Sequence, residues 1–281
     1  MSAPCFAGAI AIVTGGAAGI GEALCMELGR RGARVVVADR DVGGAERVAA
    51  AINAAGGSAQ AVACDVTSPG QVRGLVDATR SAHGRLDYMF NNAGIGFAGD
   101  TRDASLEQWR RVVDVNLMGV IYGTVAAYPV MVEQGSGHIV NTASMAGIVP
   151  MAPLTPYCAV KFGVVGLSTA LRQEAAALGV HVSVVCPGAV ATSIFKSAIV
   201  VNLPRERFFS SVPLKHLTPA VAALAILRGV ARNDRYIVFP LQARLMWWLH
   251  RLSPALFERV VARQSGAWRA MRGWVEQEPK T

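Results

Sequence analysis

Three side chains are spaced so that they could do acid–base chemistry together: Ser144, Tyr157 and Lys161. Thr155 and Pro156 form a helix-start signal, because threonine suits an N-cap and proline the first helical position. Tyr157 then falls in the first turn of a helix that continues through KFGVVGLSTALRQEAAAL. Lys161 follows at i+4, so phenol and ammonium share a helix face. A free tyrosine titrates at about 10 and is a poor base at neutral pH. A neighbouring cation and the positive end of a helix both favour phenolate, so the spacing predicts a lowered pKa. Each unit of lowering needs about 1.36 kcal/mol, and about two or three units make a usable general acid/base. Ser144 ends the apolar strand GHIVNTAS, and its hydroxyl could hold a substrate oxygen. Taken alone, the set has a plainer account: an amphipathic helix with a surface lysine and a half-buried tyrosine.

Glycines and apolar runs give the elements that would position these groups. AIAIVTGGAAGIGEALCMELGRRG passes from a short apolar strand through a glycine turn into an amphipathic helix, with Thr14, Gly15, Gly19 and Gly21 at the junction. Glycine lets the backbone turn sharply there and approach a pyrophosphate at the helix N-terminus. A bare tight turn would also use glycine, but strand, glycines and helix in this order favour a dinucleotide. A second strand, ARVVVAD, ends at Asp39. An acid at this distance can bond the adenosine ribose hydroxyls and repel a 2′-phosphate. Arg40 could receive that phosphate, whereas Ala18 carries no charge to help it. The balance favours NAD over NADP. A helix N-cap is the alternative account of Asp39.

The pattern continues with a helix at 42–55, a strand at 58–64 before Asp65, and a helix after Pro69. The strand LDYMF then runs into Asn91, Asn92, Ala93 and Gly94. Asp65 is either a turn residue or a contact to adenine. The small residues after Asn92 are either a turn or room for a flat ligand. Ser105 and Gln108 read as a capping box that opens a long helix. Within it Asn116 is either a satisfied core amide or part of a polar relay. VHVSVVCPGAV is a further apolar strand, ended by Pro187 and Gly188, with Thr192 just beyond. Residues 189–217 read as a mobile loop with short helices, followed by a helix, AVAALAILRGV, and a last strand, RYIVF. Apolar strands alternating with helices predict an α/β, doubly wound parallel sheet covered on both faces, in one catalytic domain at 1–240. Ligands bind such sheets beyond the carboxyl ends of the strands, where Gly15, Asp39, Asp65, Asn92, Ser144 and Pro187 all fall.

Of the 281 residues, 52% are hydrophobic and 16% charged, enough to bury a large core and unlike a disordered composition. The N-terminus lacks a secretory pattern and no apolar run reaches about 18 residues, so a cytoplasmic protein is expected. Cys5, Cys25, Cys64, Cys158 and Cys186 have no metal-like or redox-pair spacing, and the histidines are scattered. Reduced thiols and no metal site are expected. Of the net charge of +8, residues 228–281 carry +6, from ten Lys/Arg against four Asp/Glu. The nearly neutral body argues against nucleic-acid binding.

TGxxxGxG, the acid after the second strand, NNAG, Ser144 with Tyr157-x-x-x-Lys161, and Pro187-Gly188 with Thr192 stand in a particular order and spacing. In this the chain resembles the short-chain dehydrogenase/reductase family over roughly residues 8–239. The resemblance implies a Rossmann-like fold and reversible hydride transfer between a secondary alcohol or ketone and a nicotinamide dinucleotide. It implies that Tyr157 is the acid/base and that Lys161 bonds the nicotinamide ribose and lowers the phenol's pKa. Ser144 would position the substrate oxygen, and Asn116 would hold a water linking Lys161 to solvent. Gly15, Gly19, Ile20 and Gly21 would wrap the pyrophosphate, with Asp39 and neighbouring Arg40 at the adenosine ribose. Asp65 and Val66 would contact adenine, while Asn92, Ala93 and Gly94 line the adenosine and ribose side. Pro187, Gly188, Val190 and Thr192 would fix the nicotinamide carboxamide. Ala18 stands where NADP-using relatives often carry arginine or lysine. Homotetramers and homodimers are common in the family. The competing readings are an NADPH-dependent carbonyl or 3-oxoacyl reductase and a non-catalytic dinucleotide sensor or scaffold. The intact acid/base set speaks against the last.

Family members often end soon after the last strand, but here residues 241–281 remain, expected as an amphipathic helical extension. They hold Trp247, Trp248, Trp268 and Trp274. Leu241, Leu245, Trp248, Leu249 and Leu252 share one apolar stripe, with Arg244 and Arg251 off it. A second helix from Pro254 would turn Leu256, Phe257, Val260 and Val261 inward and leave Arg259 and Arg263 solvated. Packing on the same subunit or a neighbour is the plain reading. Tryptophan with arginine on an amphipathic helix also fits peripheral contact with an anionic membrane surface. Either way the apolar tail could help enclose a lipophilic substrate.

Overall fold

A computed structural model describes residues 6–192, 194–210 and 216–272. Cys5 and Trp274 lie outside the described residues, as do the side chains of Val260 and Arg263. β1 (Ile10–Thr14) is buried along its whole length. Its alternating side chains feed two separate cores: Ala11 and Val13 enter one, Ile10 and Ile12 the other. A strand covered on both faces reads as a continuous apolar run for this reason.

α1 (Gly19–Arg30), β2 (Arg34–Asp39), α2 (Val42–Ala54), β3 (Ser58–Ala63), α3 (Pro69–His83) and β4 (Tyr88–Asn91) follow, close to the expected bounds. A short β5 (Phe97–Ala98) leads to α4 (Leu106–Val113), opened by the expected capping box between Ser105 and Gln108. A π-helical turn over Asp114–Met118 joins α4 to α5 (Gly119–Gln134). By length and composition Leu106–Gln134 could cross a membrane. Its Val120, Ala127, Val130 and Met131 are instead buried in the protein core. β6 (Gly137–Thr142), α6 (Thr155–Ala175) and β7 (Val180–Pro187) complete the middle of the chain. Thr155 is the first helical residue of α6 rather than its cap, which is Leu154.

The segment after β7 holds the short α7 (Ile194–Ser197), β8 (Ile199–Val200) and α8 (Arg205–Ser210). β8 pairs with β5, and a bridge between Val190 and Leu217 closes the neck of the segment. α9 (Pro219–Ala231) and β9 (Tyr236–Phe239) end the sheet. Seven parallel strands lie in the order β3-β2-β1-β4-β6-β7-β9. The order reverses between β1 and β4, and such a switch opens a crevice at the strand carboxyl ends.

The extension forms α10 (Leu241–Leu252) and α11 (Pro254–Met271). Ala243, Met246, Trp247, Leu249, Phe257 and Val261 pack into the same core as β7 and β9, so the tail belongs to the one folded body. Of the expected stripe Leu249 packs inward, whereas Leu241, Leu245, Trp248 and Leu252 face away from the core; Leu256, expected to turn inward, also faces out. Ala243 and the aromatic Trp247 fit the space over β9, and turning them in leaves the leucine stripe out.

Candidate active site

At the end of β1, Gly15 takes a φ of +67°, and a Cβ there would lie 2.8 Å from the Cα of Ala93. Glycine is the residue for which that conformation carries no side-chain penalty. At Gly21 an added Cβ would overlap the carbonyl oxygen of Gly15, so α1 sits directly on the turn. The N-cap of α1 is Ala18, and no side chain caps the helix. Its first backbone N–H groups are thus left for an anion, and a pyrophosphate fits that donor set.

Thr14, named in the sequence only as part of the glycine turn, also ties this turn to β4. Its hydroxyl accepts from the backbone N–H groups of Asn92 (3.0 Å) and Ala93 (3.2 Å). The Asn92 side-chain amide donates back to the Thr14 carbonyl at 3.0 Å. The partners are 78 residues apart, and nothing in local spacing announces them.

The Asp39 carboxylate accepts from the N–H groups of Ala17 and Asp41, each at 3.0 Å. The N-cap of α2 is Asp41, which removes the capping account of Asp39. Asp65 accepts from the Thr67 N–H (2.9 Å) and hydroxyl (2.8 Å), bonds that hold its carboxyl below the usual carboxylate range. It is therefore a turn residue that also lines the cavity.

On α6, Lys161 is buried and its Nζ donates to the Thr142 carbonyl at 2.9 Å. The same Nζ lies 5.6 Å from the centroid of the Tyr157 ring. Burial pushes the Lys161 ammonium down to about 8. Burial also pushes Tyr157 up to about 12, against an opposing interaction with the Ser144 hydroxyl. The spacing predicted the reverse, a lowered phenol. Shared helix face is a local property, whereas desolvation depends on everything packed around the ring, and here desolvation wins. The shift corresponds to roughly 3 kcal/mol against phenolate.

Ser144 leaves β6 in extended geometry, and its hydroxyl accepts from the Ala146 N–H at 3.1 Å. Two kinds of support were not foreseen, one glycine and one polar chain. Gly147 lets this segment approach α6, since a Cβ there would come within 2.5 Å of the Lys161 carbonyl oxygen. A buried polar chain runs from the Asn91 side-chain amide on β4, which donates to Asn141 Oδ1 (2.9 Å), and on from Asn141 Nδ2, which donates to the Ser168 hydroxyl on α6 (3.1 Å). It pins the helix that carries Tyr157 and Lys161.

Asn116 is fully buried in the π-helical turn. Its Oδ1 accepts from the Ile95 N–H (2.9 Å) and its Nδ2 donates to the Ile95 carbonyl (3.0 Å). Its side-chain amide is satisfied by the Ile95 backbone and clamps the strand-end loop beside Gly94.

A cavity of about 1190 Å³ collects these groups. Gly15, Gly19, Ile20, Asp39, Arg40, Asp65, Val66, Asn92, Ala93 and Gly94 line one arm. Ser144, Tyr157, Lys161, Pro187, Gly188, Val190 and Thr192 line it toward the other. Gly21 and Asn116 alone among the expected residues stand behind the wall. Beyond Tyr157 the wall turns apolar, with Phe97, Met151, Leu154, Phe208, Phe209 and Trp268. Trp268 comes from α11, and Arg272 just after it donates to both carboxylate oxygens of Asp103 at 2.8 Å. That pair ties the tail to the loop after β5, across 169 residues of sequence.

Residues 9–199 match the short chain dehydrogenase family. The SadH oxidoreductase of Mycobacterium tuberculosis is 31% identical over 92% of this chain and 95% of its own length. Cyclohexanol dehydrogenase of an Acinetobacter species is 38% identical over 69% of this chain and 79% of its own. A short-chain dehydrogenase/reductase from Burkholderia phymatum, solved in complex with NAD, superposes with a TM-score of 0.83 at 29% identity, over 90% of this chain and 96% of that one. The glycine turn, the Ser144–Tyr157–Lys161 set and this likeness agree: the chain belongs to the short-chain dehydrogenase/reductase family, oxidoreductases that act on alcohol- or ketone-type substrates with a nicotinamide dinucleotide.

Proposed function

We propose that this enzyme interconverts a lipophilic secondary alcohol and its ketone with NAD(H), using Tyr157 as the acid/base. The observation that carries the reading is one continuous cavity. It joins the uncapped α1 N-terminus and Asp39 to Tyr157 and Lys161, and then to the apolar wall made by Phe97, Phe208, Phe209 and Trp268. When bound, the nicotinamide gives or takes the hydride. Ser144 holds the substrate oxygen by its hydroxyl. Tyr157, held neutral by burial, donates its proton to that oxygen during reduction. In oxidation the phenolate takes the alcohol proton. The positive charge of Lys161, together with that of an oxidised nicotinamide, offsets part of the roughly 3 kcal/mol that burial sets against phenolate.

Asp39 in the cavity beside an uncharged Ala18 favours NAD, because a carboxylate repels a 2′-phosphate. The Burkholderia relative with NAD supports this, as does a 3-ketoacyl-(acyl-carrier-protein) reductase from Brucella melitensis complexed with NADH, at 33% identity and a TM-score of 0.72 over 83% of this chain and 96% of that one. Exposed Arg40, which also lines the cavity, favours the second reading, an NADPH-dependent carbonyl or 3-oxoacyl reductase. Homodimers or homotetramers fit the outer face of α6, where exposed Thr155, Ala159, Phe162, Gly166 and Ala170 present no charge. The same reading assigns catalysis to residues 1–240 of a cytoplasmic enzyme whose tail packs on its own subunit and offers a surface for peripheral membrane contact.

The deciding experiment follows NADH and NADPH consumption against ketones graded from small and polar to large and apolar. NADH turnover that rises with apolar size is expected. NADPH preference would transfer the cofactor assignment from Asp39 to Arg40. Nucleotide binding with no turnover on any ketone would overturn the reading.

A further inference from the structure

α10 is amphipathic twice over. Its inner face, with Ala243, Met246 and Trp247, packs on the core beside β9. Its outer face carries a second apolar row: Leu241 is 68% exposed, Leu245 60%, Trp248 51% and Leu252 79%, and Leu256 continues the row into α11 at 46%. Steps of four, three, four and four residues keep these side chains on one side of the helix. A row of large apolar side chains on a folded surface marks a contact site rather than chance exposure.

The charge around the row says what it meets. Residues 241–272 hold six arginines and one acid, Glu258. At 100° per residue, Arg244 and Arg251 fall together on one flank of the row, about 70–90° from its centre. Arg251 lies over the Trp247 ring, with its guanidinium carbon 5.9 Å from the centroid. Arg244 donates its Nε to the Val238 carbonyl, which holds that guanidinium at the sheet edge. Both are thereby held beside the apolar row. A second copy would bring a like-charged flank against this one, an arrangement that repels. An uncharged apolar helix of a partner protein would leave the arginines unanswered. An apolar row at the depth of acyl chains, with arginines at the level of phosphates, satisfies both halves of the surface.

We propose that the outer face of α10, from Leu241 to Leu252 with Leu256, docks on a lipid bilayer rich in anionic headgroups. This inference deepens the proposed contact of the tail with a membrane and does not depend on the identity of the substrate. Insertion of the four α10 side chains supplies the apolar part, and each flanking arginine strengthens binding about fivefold near an anionic surface. α11 follows directly and carries Trp268 to the cavity wall, so one helix joins the docking face to the substrate end of the cavity.

The test is vesicle flotation of the full-length protein. One set of vesicles is phosphatidylcholine alone, and the other contains about one third phosphatidylserine. The wild type is expected to float with the anionic vesicles, at least about fivefold more than with phosphatidylcholine. High salt should weaken that binding. The double variant Leu245→Glu/Trp248→Glu should lose flotation while keeping NADH turnover on a soluble ketone, because neither residue lines the cavity. Arg251→Glu should lower anionic binding alone. No flotation with either vesicle, or flotation untouched by the double variant, would overturn the proposal. So would a concentration-dependent dimer that the double variant abolishes, since the row would then serve a second copy. NADH turnover, measured on the same samples, reports on the enzymatic reading separately.

Discussion

Two titratable clusters, each with a buried member, sit at opposite ends of the same pair of strands, and only one of them opens into the cavity. At the carboxyl ends of β6 and β7, Ser144, Tyr157 and Lys161 open into the cavity. At the amino ends, His138 on β6 faces His181 on β7, with ring centroids 5.6 Å apart. Ser183 donates its hydroxyl proton to the Asp234 carbonyl at 2.6 Å, so the His138 Nε2, 2.9 Å away, must be the donor to Ser183. Asn233 donates to His181 Nδ1 at 3.0 Å and also receives Arg172 on its side-chain oxygen at 2.9 Å. Burial perturbs both clusters: it pushes His138 down to about 3 and Tyr157 up to about 12. A shifted pKa therefore does not mark a site by itself. The amino-end cluster spends its donors and acceptors internally and ties α6, β7 and β9 together. The carboxyl-end cluster keeps a phenol and a hydroxyl on a cavity wall.

The contrast can be broken or sharpened by experiment. The largest effect is expected from Tyr157→Phe, which should cut turnover about a thousandfold while leaving NADH binding, followed by fluorescence titration, near the wild-type value. Near-normal turnover would equate the two clusters. His138 should show the opposite profile, with its effect in stability and not in activity. Its folded pKa of about 3 lies below the ordinary 6.5, so between these values the unfolded chain binds more protons. Stability is then intact above about pH 6.5 and falls as pH drops, approaching a loss of roughly 4–5 kcal/mol near pH 3. Urea unfolding across that range should show a shallower slope for His138→Gln, with turnover at neutral pH preserved.

Smaller effects test the active end more finely. Lys161 is a cation below about 8, so ketone reduction should decline as pH rises through that value. The rise of the Tyr157 pKa to about 12 keeps its proton in place over the same range, so this decline reports the lysine. A flat profile up to pH 10 would remove the charge of Lys161 from the mechanism (a limit of about two units beyond its titration). The smallest change is expected from Arg272→Ala, which frees the tail from Asp103. A partly exposed ion pair contributes little, so KM should rise roughly threefold for a large apolar ketone and stay constant for a small one.

Much of the fold was legible because its signals are local. Apolar runs alternating with amphipathic helices gave the parallel sheet, and glycine after β1 and the acid after β2 marked its binding edge. Asn116 and the tail were legible only in part. Asn116 offered a polar side chain among apolar neighbours, and its partner, the backbone of Ile95, lies 21 residues away. In the tail, helical periodicity found the stripe of Leu241, Leu245, Trp248 and Leu252 but not the row with Ala243, Met246 and Trp247 that packs on the core.

The sequence by itself determined which residues share a helix face or a strand end, because the periods of helix and strand are set by backbone geometry. It therefore brought Tyr157 beside Lys161 and both beyond the carboxyl edge of the sheet. Tertiary structure alone decided what surrounds them. It sent the Lys161 ammonium to the Thr142 carbonyl, raised the phenol it was expected to lower, turned the leucine row of α10 outward, and joined Arg272 to Asp103 over the apolar end of the cavity. Desolvation and the choice of buried face depend on atoms from distant parts of the chain, and no local pattern carries them.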